Sequence, residues 1–543
     1  LTGTAGAATF RADRDPTAPD LPAGRLAHAR NRAIFSFPRT IQATEVPMPL
    51  DKLRELREYG PPRRTIGLSD EVISRFARRD PSLGRAIDEA VARHRQLRSE
   101  FDDLLRLDEP SQIEAIQRDF VNFYATDAVN PYVALAARGP WIVSSMGAVI
   151  HDSGGYGMLG LGHAPDGPLE AMDRPHVMAN IMTANYSQLR FARLLEREVG
   201  HTRTNGCPFR SFICLNSGSE AIGLAARVSD INAKLQTDPG AAHEGRTIKL
   251  LGLKGAFHGR THRPAQFSDS TRASYEAHLA SFRGRDNLIT VAPNDPGQLR
   301  EAFERADRKG WFVEAIFLEP VMGEGNPGLA VTREFYDAAR QVSLEHGCLL
   351  VVDSIQAGLR AHGTLSIVDY PGFEDAMPPD IEAYSKALNA GQYPLSVLAM
   401  TDRAATLYRT GVYGNTMTTN PRALEVACAV LEAVTPQLRA NVRERGKELR
   451  DKLGALADEL DGAITAVQGT GLLLSAALSD GYKSHGEGSV EERMRIDGIG
   501  VIHGGRNSLR YTPHFAITSE EIDLIVEGTR AALLASAPVG KKA

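Results

Sequence analysis

The chain has 543 residues, a hydrophobic share of 42%, and 62 basic against 67 acidic side chains, for a net charge of −5. That length exceeds one simple domain and predicts about three, with apolar material enough for a large core. The near balance of charge leaves no footprint for nucleic acid, no basic amphipathic run points to a membrane surface, and no apolar stretch approaches the roughly 20 residues that span a bilayer.

Residues 1 to about 65 are rich in Pro, Ala and Arg without sustained periodicity, which predicts loops or a draped arm. From Ser69 to about Tyr124 the pattern turns helical, with Ile87, Val91, Leu97, Phe101, Leu104 and Leu105 spaced among charged residues. Alternating apolar residues between Trp141 and Leu161, with a Gly154-Gly155 turn, predict a strand and hairpin. From about 190 to 435, short apolar runs alternate with helical segments: Phe212 to Leu215, Ile248 to Leu253, Ala315 to Leu318, Leu349 to Val352 and Leu395 to Met400, with a helix over Arg333 to Glu345. That alternation predicts a mostly parallel sheet with helices on both faces, whose ligands sit beyond the strand carboxyl ends. A long helix near Gln437 to Leu460, then strands at Leu472 to Leu478 and Ser508 to Tyr511, predict a smaller α+β lobe.

Chemistry concentrates in the central part. Asp353 closes one apolar run, and Lys386 follows in the segment Ala383-Tyr384-Ser385-Lys386-Ala387-Leu388-Asn389. An aspartate and a Schiff-base lysine are what pyridoxal phosphate needs, one to keep its ring nitrogen protonated and one to hold its aldehyde. Alone, each has a plainer reading: a turn residue after a strand, and a solvated lysine. The third element is Asn216-Ser217-Gly218-Ser219-Glu220-Ala221, read as strand, turn and helix start, which offers free N–H groups and a positive dipole end to a phosphate. Cys207, Cys214, Cys348 and Cys428 lie in separate segments without metal-ligand spacing; they read as core hydrophobes in a reducing compartment, and no metal site is expected. The polar start with Arg11, Asp13, Arg14 and Asp15 does not read as a secretory signal, so the expected location is cytoplasmic.

With these residues placed, the chain resembles the class III aminotransferases of the fold-type I pyridoxal phosphate superfamily, which includes ornithine, acetylornithine, 4-aminobutyrate and omega-amino acid transaminases. The resemblance runs from about Gly147 to Ala535. Its motifs are Asn216 to Ala221, Gly255-Ala256-Phe257-His258-Gly259-Arg260-Thr261, Glu319-Pro320-Val321 with Gly323-Glu324-Gly325, Asp353-Ser354-Ile355-Gln356, Ser385 to Leu388, Gly414-Asn415-Thr416 with Asn420-Pro421, and Leu509-Arg510. It implies an α/β fold with a seven-stranded large domain at 191–436, a small domain formed by 131–190 and 437–543, and an atypical extension over 1–130. It further implies that Lys386 forms the Schiff base and moves the proton, and that Asp353 pairs with the ring nitrogen. Ile355 and Phe257 would flank the ring, Gln356 would bond its phenolic oxygen, and Ser217, Gly218 and Ser219 would hold the phosphate. Thr416 would reach that phosphate from the other subunit of a homodimer, His258 would make a structural hydrogen bond in the cofactor site, Arg510 would grip a substrate α-carboxylate, and Glu319 would pair with Arg510 when a substrate lacking that carboxylate is bound.

Two departures stand out. The family pattern after the aspartate is usually Asp-Glu-Val-Gln, where this chain has Ser354, and a Gly-Gly pair near the phosphate is replaced by Thr418 and Thr419. Amino transfer between an amino acid or amine and a 2-oxo acid is the leading expectation, resting on Lys386, Asp353 and the Arg510 with Glu319 pair, while the departures keep a second outcome open. Epimerisation, decarboxylation or β/γ-elimination and replacement on the same electron sink is the alternative, and a non-enzymatic binding protein the third reading.

Overall fold

The computed structural model describes residues 49–536, the side chain of Tyr156 excepted, so most of the expected loop stretch lies outside the described residues. Within the remainder, Pro49–Arg57 is a helix instead: Asp51 stands in its first turn, Arg54 and Arg57 in its last, and only Leu53 and Leu56 are fully buried. Two apolar residues are too few for periodicity to flag. The helices Asp70–Ala77, Pro81–Leu97 and Glu109–Gln117 follow, capped by Ser69, Asp80 and Asp108, whose side chains accept the N–H groups of Val72, Ser82 and Ser111. Ile87, Val91 and Leu105 are buried as the pattern required, whereas Phe101 is exposed and the last of these helices stops at Gln117, short of Tyr124.

β1 (Ala134–Arg138), β2 (Trp141–Ser144) and β3 (Val149–Asp152) form an antiparallel meander. The hairpin turns at Gly147, not at Gly154-Gly155, which lead into a 3-10 turn. Gly147 has φ 68°, and a Cβ there would meet the Leu53 carbonyl at 3.0 Å, so only glycine lets the hairpin seat on the first helix.

The central sheet consists of β4 (Ser211–Leu215), β5 (Thr247–Leu253), β6 (Leu288–Val291), β7 (Trp311–Leu318), β8 (Leu349–Asp353), β9 (Ile381–Tyr384) and β10 (Ser396–Met400). Their spatial order is β4-β10-β9-β8-β7-β5-β6, with β10 antiparallel to both neighbours and the other pairs parallel. Alternation along β8 splits the interior into two layers. Leu349 and Val351 join the core with Ala221, Leu224 and Val228 of the helix Gly218–Thr237; Leu350 and Val352 join the core with Phe335 and Ala339 of the helix Arg333–Glu345.

The helix Pro436–Glu459 leads to β11 (Ile464–Thr470), β12 (Leu473–Leu478), β13 (Ile499–Gly500), β14 (Ile502–Gly504) and β15 (Ser508–Tyr511). β11-β12-β15-β14 make one sheet, while β13 pairs with β3. The helix Ser519–Ala535 starts with a capping box between Thr518 and Glu521. Glu521 also accepts from His151 of β3 at 3.1 Å and from His514 at 2.8 Å, clipping the N-terminal meander to the C-terminal helix. Burial pushes this carboxyl up, but the His514 charge and both histidine hydrogen bonds outweigh it and hold it far below the usual range. Glu521→Gln is expected to cost about 3–5 kcal/mol near neutral pH, the order for breaking a buried pair. A carboxyl lowered on folding stabilises fully above its unfolded range and loses that contribution as pH falls toward the folded value, so the gap in urea midpoint between wild type and variant should narrow in acid. A gap independent of pH would refute the charged clip.

Candidate functional site

Three strand ends deliver the site. After β4, Ser217 caps the helix Gly218–Thr237 by accepting the Glu220 N–H, while Glu220 Oε2 accepts the Asn216 N–H at 2.8 Å. The first-turn amides of Gly218 and Ser219 thus sit at an open, positively polarised helix start. A Cβ on Gly218 would lie 2.7 Å from Ile355 Cδ1, so any larger residue would push aside the side chain that follows β8.

β8 ends at Asp353, which is 5% exposed. Its Oδ2 accepts from His258 Nδ1 at 2.9 Å and its Oδ1 from the Ile355 N–H at 3.2 Å. Burial lowers the affinity of His258 for a proton, but the hydrogen bond to Asp353 and the charges of Asp353 and Glu319 prevail and raise it above the ordinary histidine value. β9 then leads to Lys386, which opens the 3-10 turn Lys386–Asn389 with φ 48°. A non-glycine residue in this left-handed region is strained, a condition concentrated at functional positions. The Lys386 ammonium donates to Gln356 Oε1. Burial, aided by the nearby Arg510 charge, pushes its pKa down to about 8, so the neutral amine is more accessible than in a free lysine although the ammonium still predominates at neutrality.

Ten of the twelve candidate residues, all but Thr416 and Arg510, line one cavity of about 410 Å³. Arg510 on β15 reaches its edge through Glu324, at 2.7 Å, and also donates to the Gly323 carbonyl. Glu319, the acid expected to pair with Arg510 in a complex with a substrate lacking the carboxylate, does not bond it here; the acid on the arginine is Glu324. Glu319 stands directly after β7, where its two oxygens accept the N–H groups of Phe257 at 3.0 Å and Gly323 at 2.8 Å, and burial pushes its pKa up to about 7. Glu324 lies farther out on the Gly323-Glu324-Gly325 loop. Burial raises its carboxyl, but the Arg510 and Lys386 charges prevail and keep it below the ordinary value. The flanking glycines in that motif were the available signal.

Thr416 is exposed and away from the cavity. Its carbonyl accepts from Asn180 at 3.2 Å, and the neighbouring Tyr413 and Asn415 both donate to Glu220 Oε1, at 2.7 and 2.8 Å. Thr419 takes φ 57°, so a β-branched residue occupies the left-handed geometry that a glycine would hold without strain. Met158, Asn389 and Tyr393 also line the cavity, and no motif singled them out. Three buried atoms, His258 Nε2, Gln356 Nε2 and Arg510 Nε, have no hydrogen-bond partner. Orphans of this kind at one site point to a polar ligand that completes them.

The family model for aminotransferase class-III matches residues 123–533. The acetylornithine aminotransferase of Neisseria meningitidis is 26% identical over 411 residues, covering 74% of this chain and 94% of that protein. That of Ralstonia nicotianae is 30% identical over 408 residues, covering 73% of this chain and 93% of its own length. Among solved structures, an ornithine aminotransferase from Toxoplasma gondii superposes with a TM-score of 0.67 at 23% identity, covering 81% of this chain and 97% of that one.

Proposed function

Because the chain belongs to the class III aminotransferase family, we infer that its cavity holds pyridoxal 5'-phosphate and moves an amino group between an amino acid or amine and a 2-oxo acid in two alternating half-reactions. The observation that carries this is the convergence of Asp353, Lys386 and the helix start at Gly218 on one cavity lined by buried orphan donors. When bound, the cofactor supplies an aldehyde for the amino group and a ring that accepts the electron pair left by a departing substrate proton. The chain's residues fit each part of it. The amides of Gly218 and Ser219, with the Ser217 and Ser219 hydroxyls nearby, suit a phosphate. Asp353, its charge shared with His258, suits a protonated ring nitrogen. Phe257 and Ile355 offer apolar surface to the ring, and the free Gln356 amide suits its phenolic oxygen. Lys386 Nζ would hold the aldehyde and, when free, would be the group placed to take and return a proton at the substrate carbon.

Arg510 offers a planar fork to a carboxylate, and Glu324 occupies it otherwise. Arg260, over the Phe257 ring at 5.6 Å, adds a second guanidinium beside Glu324. Two cations around one displaceable acid suit substrates carrying a carboxylate distant from the reacting amine, and the named relatives direct the first trials to acetylornithine, succinylornithine and ornithine. The likeness to aminotransferases over most of the chain favours transfer over the elimination, decarboxylation and epimerisation readings.

Homodimerisation is part of the same reading. Ile181, Met182, Tyr186 and Met417 are at least 65% exposed beside the Asn180–Thr416 contact, an apolar face suited to a second copy whose phosphate site Thr416 would complete. Residues 131–190 and 437–543 form the small domain in this scheme, and 191–436 the large one. Among the described residues no helix is long and apolar enough to cross a membrane, in keeping with a cytoplasmic enzyme.

The test is the half-reaction. With acetylornithine or a related donor and no oxo acid, the bound cofactor should convert to its aminated form, and added 2-oxoglutarate should reverse it. Arg510→Ala should weaken the oxo acid half-reaction about 10²-fold, since it leaves Glu324 uncompensated as well as removing the fork. Failure of every amino donor to aminate the cofactor would overturn the assignment.

A further inference from the structure

Glu382 is a carboxylate in the middle of a buried strand, with no measurable exposure. In that setting an acid is costly unless each lone pair is met. Here each oxygen has two donors. Oε1 accepts from Ser354 Oγ at 2.5 Å and the Ile367 N–H at 2.9 Å, and Oε2 accepts from Tyr384 Oη at 3.0 Å and Ser366 Oγ. Burial pushes the carboxyl up to about 7, with these four hydrogen bonds opposing it.

The first of those donors is the position at which the chain departs from its family. Where the family pattern has a glutamate next to the ring-pairing aspartate, this chain has Ser354, and Ser354 reaches a glutamate on the adjacent strand. The register brings them together: Asp353 stands opposite Ala383, and the Ser354 N–H donates to the Ala383 carbonyl at 3.0 Å. The bridge therefore joins the strand end that presents Asp353 to the strand end that leads into strained Lys386.

We propose that Glu382 is a positioning residue of the cofactor site: bonded to Ser354 across the strand register, it holds the Asp353 and Lys386 strand ends in fixed relation. The proposal rests on pyridoxal phosphate occupying the cavity. Glu382 itself touches neither cofactor nor substrate; its influence runs through Ser354 and the backbone of β9.

The experiment uses the full-length holoenzyme and three variants: Glu382→Gln, Ser354→Ala, and the swap Ser354→Glu/Glu382→Ser. In Glu382→Gln an amide nitrogen replaces an acceptor shared by two buried donors, so the Tyr384 and Ser366 hydroxyls must turn to accept and leave their own protons unmet, and the strand ends should separate. The absorbance of the lysine-bound cofactor should then titrate with a shifted midpoint, and kcat should fall about 10²-fold, the cost of a small misplacement of reacting groups. Ser354→Ala should shift the same midpoint in the same direction by less. The swap should recover most of the spectrum and rate lost in Glu382→Gln. Wild-type spectra, titration midpoints and kcat in Glu382→Gln and Ser354→Ala, with only a lower melting temperature, would overturn the proposal. Ser354→Ala removes a single hydroxyl and decides the matter whether or not the swapped chain folds. A wild-type protein that shows no bound-cofactor band would instead defeat the reading of the cavity.

Discussion

Lys386→Ala is expected to reduce amino transfer at least about 10³-fold, the order lost when a positioned proton-transfer group is removed. The side chain is half-buried in the cavity, its amine is brought down to about 8, and its backbone is held left-handed at φ 48°. The phosphate cradle and Asp353 are untouched by the change, so the variant should still bind the cofactor. Single-turnover absorbance with acetylornithine would measure the loss, and a loss under tenfold would remove Lys386 from the chemistry. The wild type has a matching pH signature. A lysine lowered to about 8 is protonated below that value and neutral above it, so capture of added cofactor aldehyde by the cofactor-free protein should accelerate as pH rises through about 8. The alanine variant should lack that rise.

Asp353→Asn is the second large effect, about 10²–10³ in kcat/KM, as for other deletions of a pre-oriented electrostatic partner. The amide keeps the shape of the carboxyl and removes its charge. His258 is held above the ordinary histidine value against the effect of burial by this carboxylate and, more weakly, by Glu319, so its titration should move down in the variant. NMR of His258 reads that shift directly, while kinetics read the loss of the ring-nitrogen partner. Turnover within tenfold of wild type, with the cofactor bound, would show that the carboxylate is not needed as the counter-charge.

Much of the central sheet was legible because strands with apolar side chains on both faces are written as short apolar runs, and five of the seven strands were found that way, the antiparallel pair β4 and β10 among them. β6 is a four-residue edge with one exposed member, too little pattern to notice. β9 was hidden by Glu382, whose charge breaks the apolar run and three of whose four donors come from outside the strand. At the site, residues whose task is local, such as Gly218 at a helix start or Asp353 at a strand end, could be placed by motif and spacing. Arg510 could be placed too, but its partner could not. Both glutamates in Glu319 to Gly325 suit an ion pair on paper, and only the backbone N–H groups around Glu319 decide that it is already engaged.

The reversed direction of β10 has a consequence for how the protein is made. Leu215, just before the helix start at Gly218, pairs with Ser396, and Lys386 lies in the loop that leads to that partner strand. At translation speeds of roughly 5–20 residues per second, the ribosome has left the cradle behind for roughly ten seconds or more before β10 emerges to hold it. Until then β4 lacks its sheet neighbour, and closing the pairing is a long-range event that contributes to slow folding. The vitamin-derived group can therefore act only as a late lock on a nearly finished chain, not as a template that guides its early collapse.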